Sequence, residues 1–439
     1  MMIFAARSRH RRWAGAVALA VTLAGPLSGC SGSTPLSADG VPPAARHLQA
    51  YDPPTSFDFG DGNGNGNGTG DALDEGVQPS TSSPTRQRPA ISLKDTTAFV
   101  TTEDGMKAVD AVTRNTLWSA SSTIPATKSG FGSERAAPLP TRFHGIDAVL
   151  VAFSRFIPGT GTGRGRNVIE VLAADSTTGK TVWTAQVDLV ETPLDKEALS
   201  REESLRADGI RAAQVVAVDD QSVVVSDDET TYVVDAGSGQ LRWTRADFHA
   251  MQLVDGIVAG AEAPTYGERQ LAGYSASDGS PRWSAVHTES HAVASFAGPG
   301  LLAMSASDGF VIVDARTGAV RAHPGPGAYV HHWHCDFDGT SVILCNDQLF
   351  SQTHSIAALD ATSMQWLWSI TETPGGRLVP TVTAVWHGAA YGRTTNGNVI
   401  LDARTGADRA TPKLAPFLVN AYVGIEDRGH SMSLMRSTG

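Results

Sequence analysis

A cluster of histidine and cysteine side chains is the part of this sequence with the clearest capacity for chemistry. His331, His332 and His334 precede Cys335, and Cys345 follows ten residues later. Imidazole nitrogen and thiolate sulfur are ligands for zinc or copper. Two cysteines this close can also form a disulfide outside the cytoplasm. Which chemistry is available depends on the elements that hold these residues.

The segment around the two cysteines is predicted to be a β-hairpin. Residues 336–340 are typical of a turn, so Cys335 and Cys345 can meet across two strands. A disulfide closing this short loop would stabilise the fold by about 2–3 kcal/mol in the chain-entropy model. Adjacent strand residues point to opposite faces, so of the three histidines only His332 and His334 share one. We predict a disulfide and no metal site, with His332 and His334 as the weak alternative metal ligands.

A nine-residue phrase, here called the docking repeat, recurs seven times along the chain. Position 1 is aspartate or once serine, position 5 is usually glycine, and position 9 is usually tryptophan. The copies begin at Asp110, Asp175, Asp235, Ser275, Asp314, Asp360 and Asp402, and the tryptophans are Trp118, Trp183, Trp243, Trp283 and Trp368. Ala322 and Ala410 replace tryptophan in the fifth and seventh copies, so we expect those two junctions to pack differently. Repeats at roughly 40-residue spacing indicate one supersecondary unit copied around a ring or stack.

The residues between the copies predict short antiparallel strands. Runs such as 215–218, 223–225 and 232–234 are β-branched or aromatic and are separated by turn residues. Four such strands per repeat are typical of a β-propeller blade. Position 1 would then cap a turn, the glycine would allow a positive φ, and the tryptophan would pack on the adjacent blade. We predict an all-β, seven-bladed propeller of four-stranded antiparallel blades over residues 89–439. Residues 416–437 could complete the ring, and eight blades are the alternative.

The first thirty residues are typical of a bacterial export signal. Four arginines flank the apolar run 13–23, which is too short to span a bilayer, since spanning needs about 20 residues. Residues 27–30, Leu-Ser-Gly-Cys, resemble the lipobox of bacterial lipoproteins. That resemblance implies cleavage before Cys30 and acylation of its thiol by a diacylglycerol, with chains such as palmitate. We therefore predict a signal peptide over residues 1–29 and an extracytoplasmic, lipid-anchored protein of the cell envelope.

Residues 30–88 are predicted to be a disordered, flexible tether. Their Gly, Pro, Ser, Asn and Asp content cannot bury enough apolar surface to offset the entropy of ordering. Residues 63–74 place oxygen ligands at EF-hand-like positions. However, Asn63 stands where a charged aspartate is expected and Asp74 where glutamate is expected, and no flanking helices are evident. We therefore favour a linker over a calcium site.

Two further segments depart from the regular spacing. Residues 186–212 contain an insertion, and Thr192 followed by Pro193 favours a short surface helix over residues 192–205. The Gly-rich segment 159–166 lacks the Lys-Ser/Thr ending of a phosphate loop and is flanked by strand-like runs. We predict that it is the tip of a hairpin.

The acidic balance of the chain limits its partners. The 439 residues carry a formal net charge of −11, and removal of residues 1–29 would take away four arginines and no acid. Such a charge repels phosphate backbones and anionic lipid headgroups. We therefore expect no nucleic-acid partner, and contact with a membrane only through the lipid anchor.

The docking repeat resembles the tryptophan-docking repeat of quinoprotein-type, or PQQ-like, β-propellers. The resemblance is clearest at residues 235–243 and extends over about residues 90–439. Catalytic members are dehydrogenases that use pyrroloquinoline quinone (PQQ) and calcium, and they have an adjacent cysteine pair that this sequence lacks. Non-catalytic members include the lipid-anchored propeller subunit of the outer-membrane β-barrel assembly machinery, which is a docking scaffold.

The non-catalytic members fit this sequence better, so the resemblance implies a scaffold and not an enzyme. We expect no catalytic residues, no cofactor, a monomeric state, and an envelope or secreted protein as partner. A propeller that binds an extracytoplasmic ligand or glycan is the alternative, and a PQQ-dependent dehydrogenase is the third reading.

Overall fold

The computed structural model describes twelve stretches of the chain: residues 48–59, 90–125, 135–163, 165–189, 213–227, 230–263, 268–288, 292–306, 309–323, 333–347, 355–427 and 432–439. These residues form 32 strands and no helix. The strands make eight four-stranded antiparallel sheets, which we name blades I to VIII. The all-β fold with four-stranded blades is therefore confirmed.

The strands follow one another blade by blade after β1 (Phe57–Asp58). Blade I contains β2 (Ile91–Lys94), β3 (Thr97–Thr102), β4 (Gly105–Asp110) and β5 (Thr116–Ser121). Blade II contains β6 (Leu139–Phe143), β7 (Ile146–Ile157), β8 (Arg166–Asp175) and β9 (Thr181–Asp188). Blade III contains β10 (Gln214–Val218), β11 (Ser222–Asp227), β12 (Thr230–Asp235) and β13 (Leu241–Arg245). Blade IV contains β14 (Phe248–Val254), β15 (Ile257–Glu262), β16 (Arg269–Ser275) and β17 (Pro281–Thr288).

The second half of the chain continues the same pattern. Blade V contains β18 (Val293–Gly298), β19 (Leu301–Ala306), β20 (Gly309–Asp314) and β21 (Val320–Ala322). Blade VI contains β22 (Trp333–Phe337), β23 (Val342–Asp347), β24 (Ser355–Asp360) and β25 (Trp366–Thr371). Blade VII contains β26 (Thr381–Trp386), β27 (Ala389–Thr394), β28 (Gly397–Asp402) and β29 (Asp408–Ala410). Blade VIII contains β30 (Leu418–Val419), β31 (Val423–Asp427), β32 (Met432–Ser437) and β1.

The blades form a closed ring. The first strand of each blade contacts the first strand of the next, and β30 of blade VIII contacts β2 of blade I. Eight buried apolar clusters lie in the ring, one between each pair of neighbouring blades. In one of them, Phe99 and Trp118 of blade I pack with Leu172 of blade II. Each sheet thus buries both faces against its neighbours, as propeller blades do.

Blade VIII corrects the predicted blade number. β1 pairs with β32 through Phe57↔Ser437 and Asp58↔Arg436, so the first strand of the chain is an edge strand of the last blade. The prediction of seven blades is therefore wrong, and the alternative of eight is correct. The docking repeat spans the turn between the third and fourth strands of a blade. Blade VIII has no such turn, because its fourth strand comes from the other end of the chain.

Residues 48–59 lie within the segment expected to be a tether, yet they are part of the ring. Phe57 is buried, and its ring centroid lies 6.0 Å from that of Tyr391 in blade VII. The Tyr391 hydroxyl donates a hydrogen bond to the Pro54 carbonyl at 2.7 Å. The propeller therefore begins before residue 89.

Several predicted features fall outside the described residues. They are the signal peptide 1–29, the lipidation site Cys30, the segment 63–74 and the helix over 192–205. Among the residues that are described, no helix is long and apolar enough to cross a membrane. The Gly-rich segment does connect paired strands, since β7 and β8 pair as far as Ile157↔Arg166.

The docking repeat joins neighbouring blades through its tryptophan. Trp243 of blade III donates its Nε1–H to the Ala276 carbonyl of blade IV at 3.0 Å, and its ring covers Gly279. The equivalent bonds run from Trp118 to Ser176, from Trp283 to Ala315 and from Trp368 to Ala403. Position 5 has a φ between +58° and +71° in all seven copies, whether it is glycine, Arg114 or Met364. The left-handed turn at position 5 thus brings each repeat against the preceding blade.

Trp183 stands at position 9 of the second copy but packs differently. Its ring meets Phe143 of its own blade edge-on, with centroids 5.5 Å apart. The Ala236 carbonyl, which a docked tryptophan would use, instead lies 3.0 Å from Nε2 of His144. A histidine from the turn between β6 and β7 therefore takes over the docking hydrogen bond at the junction of blades II and III.

The junction of blades V and VI lacks a docking tryptophan, as the sequence indicates, and is filled by other aromatic rings. Trp333 lies 5.5 Å from Phe310 and 5.7 Å from Trp366, centroid to centroid. Trp366 donates its Nε1–H back to the His323 carbonyl of blade V at 2.9 Å. Aromatic side chains from the body of the two blades thus occupy the space that Ala322 leaves.

Replacing Gly406 with alanine is expected to destabilise the protein more than the same change at Gly388. Both glycines have a positive φ, +69° and +83°, which costs alanine about 1–2 kcal/mol. A Cβ at Gly406 would also lie 2.7 Å from the Trp368 ring, whereas a Cβ at Gly388 has nothing within 4 Å. Urea unfolding of both variants measures the difference. Equal losses of stability would show that Trp368 is not held against the glycine.

Candidate functional site

His334 and both cysteines lie in the hairpin of β22 and β23. Cys335 and Cys345 are opposite residues in the strand pairing and are joined by the predicted disulfide. Both are fully buried in the cluster between blades V and VI. Because both sulfurs are bonded to each other inside this cluster, neither is available as a thiolate ligand or nucleophile.

The weak metal candidates are only partly described. His332 lies outside the described residues, and His334 places Nε2 3.6 Å from a carboxylate oxygen of Asp336. Within the described ranges, no group of three or more His, Cys, Asp or Glu side chains could hold a metal ion. Of the two candidates, the structure therefore describes only His334, which lies near Asp336.

The turns that carry the docking repeats share one face of the ring. Within an antiparallel blade, the turn between strands one and two lies at the same end as the turn between strands three and four. We call this end the repeat face. Arginine at position 3 of a repeat reaches the preceding blade: Arg316 bonds Asp255 of blade IV, and Arg404 bonds Asp360 of blade VI. The repeat face is thus crossed by ion pairs between blades.

A polar cavity of about 480 Å³ opens on the repeat face between blades III and IV. Its charged lining consists of Asp219, Arg242, Asp255, Arg282 and Arg316. Ser275, Ala276 and Ser277, from the repeat of blade IV, form another part of the wall. The sequence singled out this repeat only because serine replaces aspartate at its first position.

Most charged groups of this cavity already have a partner. Arg242 binds Asp235 through Nε at 3.1 Å and through a terminal nitrogen at 2.6 Å, and this pair holds the pKa of Asp235 well below its usual range. The carboxylate of Asp255 raises the pKa of Arg316. Asp219 accepts hydrogen bonds from the backbone N–H groups of the turn that follows it. These groups therefore shape the cavity and are not free to bind a ligand.

A second ionic cluster joins blades III and IV at the opposite end of the strands. Glu262 is buried and accepts hydrogen bonds from Arg245 Nε at 2.7 Å, Gln270 at 2.7 Å and the Tyr274 hydroxyl at 2.6 Å. Burial alone would raise the pKa of Glu262, but these hydrogen bonds outweigh it and lower the pKa. Burial and the contact with Glu262 raise the pKa of Tyr274. The cluster is fully matched and therefore acts as a structural link.

Because aspartates of the docking repeats accept hydrogen bonds in the folded state, we expect the protein to lose stability in acid. Backbone and side-chain hydrogen bonds lower the pKa of Asp278 and of Asp360 to about 2, with the N–H of Ser280 and of Ser363 as the largest causes. An unfolded aspartate titrates near pH 3.9, so this stabilisation is present above about pH 4 and is lost as the pH falls through about 2. We expect the thermal midpoint to fall over this interval. In Asp360→Asn the amide oxygen can still accept hydrogen bonds without titrating, so a fall as large as in the unmodified protein would contradict the assignment.

The structure is an eight-bladed β-propeller that resembles the PQQ-like repeat propellers, and docking tryptophans hold four of the junctions between its blades. Residues 167–328 match the family model described as outer membrane protein assembly factor BamB. This match begins in β8 and ends after β21, so it includes the cavity between blades III and IV. No curated protein matches the chain.

Three solved structures align with most of the chain. They are BamB from Moraxella catarrhalis, the computationally designed Ika8 protein and a europium-containing methanol dehydrogenase. Their identities are 13%, 16% and 10%, and their TM-scores are 0.41, 0.47 and 0.39. The alignments cover 79%, 79% and 76% of this chain and 96%, 95% and 78% of the respective structures. At these TM-scores the likeness does not separate a scaffold from a dehydrogenase.

Within the part of the chain that the structure describes, the cysteines are arranged differently from those that the repeat class implies for its catalytic, PQQ-dependent members. Those members have two adjacent cysteines, whereas Cys335 and Cys345 are ten residues apart and bonded to each other in a buried hairpin. In the described part of the chain, no cluster of acidic side chains is arranged to hold a metal ion.

Proposed function

We propose that this protein is an exported, lipid-anchored propeller that acts as a non-catalytic, protein-binding scaffold in the bacterial cell envelope. The match of residues 167–328 to an outer membrane protein assembly factor carries the proposal. It is supported by the export-signal pattern of residues 1–29 and by the lipobox-like sequence that ends at Cys30. The closed ring of blades, with a cavity lined by charged side chains on one face, suits a protein that presents a surface to a partner.

Cross-linking in intact cells tests the scaffold directly. A photoreactive amino acid at Ser277, in the exposed wall of the cavity, should yield one defined protein adduct that mass spectrometry can identify. The same group at Leu378, which is also exposed but belongs to the segment between blades VI and VII, serves as the control. Equal adducts from both positions would indicate random collision. Recovery of a specific glycan in place of any protein would favour the ligand-binding alternative.

The anchor is tested by labelling with a radioactive or clickable palmitate. We expect label on the unmodified protein and its recovery with membranes, because acylation of Cys30 would add two or more buried chains. Cys30→Ala should lose the label and leave the membrane fraction. Label that persists in Cys30→Ala would refute lipidation at this cysteine.

The dehydrogenase reading has its own test. We expect no oxidation of alcohols or sugars when the purified protein is supplied with PQQ and calcium. Activity that requires both additions would replace the scaffold proposal with the enzymatic one.

A further inference from the structure

In two blades, the arginine at position 8 of the docking repeat pairs with the aspartate at position 1. Arg242 in blade III binds Asp235 at position 1 of its repeat, and Arg321 in blade V lies 3.5 Å from Asp314 at the same position. Both arginines sit at the register shift between the third and fourth strands. This bulge turns the arginine toward the aspartate at the other end of the repeat.

Blade IV keeps the arginine but not the aspartate. Arg282 occupies the equivalent bulge of β16 and β17, and position 1 is Ser275. The hydroxyl groups of Ser275 and Ser277 form a hydrogen bond with each other, with the two Oγ atoms 2.9 Å apart. Among the described contacts, Arg282 has no hydrogen bond or ion pair. It is exposed and lines the cavity between blades III and IV.

The nearby carboxylates do not replace the missing one. Asp278 interacts with Arg282 only electrostatically, since its Oδ1 accepts the N–H and hydroxyl of Ser280. Asp219 caps its own turn, and Asp255 is bound to Arg316. Arg282 therefore presents an unused guanidinium, a planar group whose donors match a carboxylate.

We propose that Arg282 binds a carboxylate side chain of a protein partner, which takes the place that the aspartate at position 1 has in blades III and V. Blade III shows the geometry, because Arg242 holds the Asp235 carboxylate through two nitrogens on the same scaffold. A singly charged carboxylate suits the cavity better than a phosphate dianion, because Asp219 and Asp255 line it and would repel the second charge. This inference rests on the proposed scaffold function and specifies the chemistry of its docking site.

Arginine modification of the purified protein tests the free guanidinium. Phenylglyoxal followed by peptide mass spectrometry should modify Arg282 at least about tenfold faster than Arg242, because a charged hydrogen-bonded pair must first open at Arg242. Ser275→Asp should slow Arg282 to the rate of Arg242. The reciprocal change Asp235→Ser should accelerate Arg242. Equal rates for the two arginines in the unmodified protein would overturn the proposal, as would a Ser275→Asp variant that leaves Arg282 fast.

Peptide protection tests the ligand class. A short acetylated peptide rich in aspartate and glutamate should protect Arg282 from modification, and the matched asparagine and glutamine peptide should not. Equal protection by both peptides would refute a carboxylate site.

The cross-link from Ser277 then separates this inference from the scaffold proposal. If a partner is captured and Ser275→Asp abolishes the adduct, both are supported. If Ser275→Asp leaves the adduct unchanged, the proposed site at Arg282 is refuted and the scaffold proposal is still supported. If no protein is captured but acidic peptides still protect Arg282, the scaffold and the protein partner are both refuted, and only the preference of Arg282 for a carboxylate is supported.

Discussion

A chain that begins at residue 60 is expected to lose more stability than any single substitution in the ring costs. The truncation removes β1, which is the fourth strand of blade VIII. It exposes the surface of blades VII and VIII that Phe57 covers, and it deprives the buried Tyr391 hydroxyl of its acceptor at Pro54. Loss of one buried phenylalanine alone typically costs about 3–5 kcal/mol. Urea unfolding of the purified propeller would measure the difference.

The matched control is a chain that begins at residue 48. Like the shorter chain it lacks residues 1–47, but it keeps β1 and the contacts of Asp52. The Asp52 carboxylate accepts hydrogen bonds from Trp386 at 2.9 Å and from His387 at 2.7 Å. The stability of this control should equal that of the protein without either truncation. If the two truncated chains unfold at the same urea concentration, ring closure by β1 makes no contribution, and blade VIII would be stable with three strands.

The number of blades shows where repeat counting fails. Seven copies of a phrase predict seven turns between third and fourth strands, and all seven are present. A ring closed by strands from both chain ends has one blade without that turn, so the copies number one fewer than the blades. The composition of residues 30–88 hid the closing strand. Phe57 and Phe59 stand among Gly, Asp and Asn residues, and two aromatic residues do not make a strand pattern.

The side-chain contacts likewise fall into those that the sequence predicts and those that it does not. The disulfide followed from two cysteines on either side of a turn, which is a local feature. The docking of Trp118, Trp243, Trp283 and Trp368 also followed from the repeat, because the contact is the same at each junction. The hydrogen bond of His144, in place of Trp183, with the Ala236 carbonyl did not follow from the repeat, since it depends on a turn elsewhere in the blade.

In the sequence, the only sign of the unused guanidinium of Arg282 was the missing aspartate at position 1 of its repeat. Serine at position 1 marks the fourth copy, but the repeat gives no reason why this should matter. The structure supplies the reason, because position 1 and position 8 meet across the bulge in blades III and V. Two residues seven apart thus become a pair only after the third and fourth strands are in register.

Trp333→Ala is expected to cost about 3–5 kcal/mol, the largest loss among single substitutions in the ring. Trp333 is 1% exposed, and its Nε1–H donates to Ser355 Oγ at 3.1 Å. Truncation would leave a cavity bounded by Phe310 and Trp366, whose ring centroids are 6.0 Å apart and cannot close the gap without breaking their own packing. The disulfide next to Trp333 would hold the backbone in place and limit any collapse.

Two variants separate this effect from the general loss of a tryptophan. Trp183→Ala removes the same volume from a partly buried side chain that does not make the docking bond, so it should cost clearly less. Trp333→Phe keeps an aromatic ring but loses the bond to Ser355, so it should recover more than half of the loss. Denaturant unfolding of all three variants measures the order. If Trp183→Ala costs as much as Trp333→Ala, the aromatic cluster does not substitute for docking at the junction of blades V and VI, and that junction must be held by the strand contacts between β18 and β22.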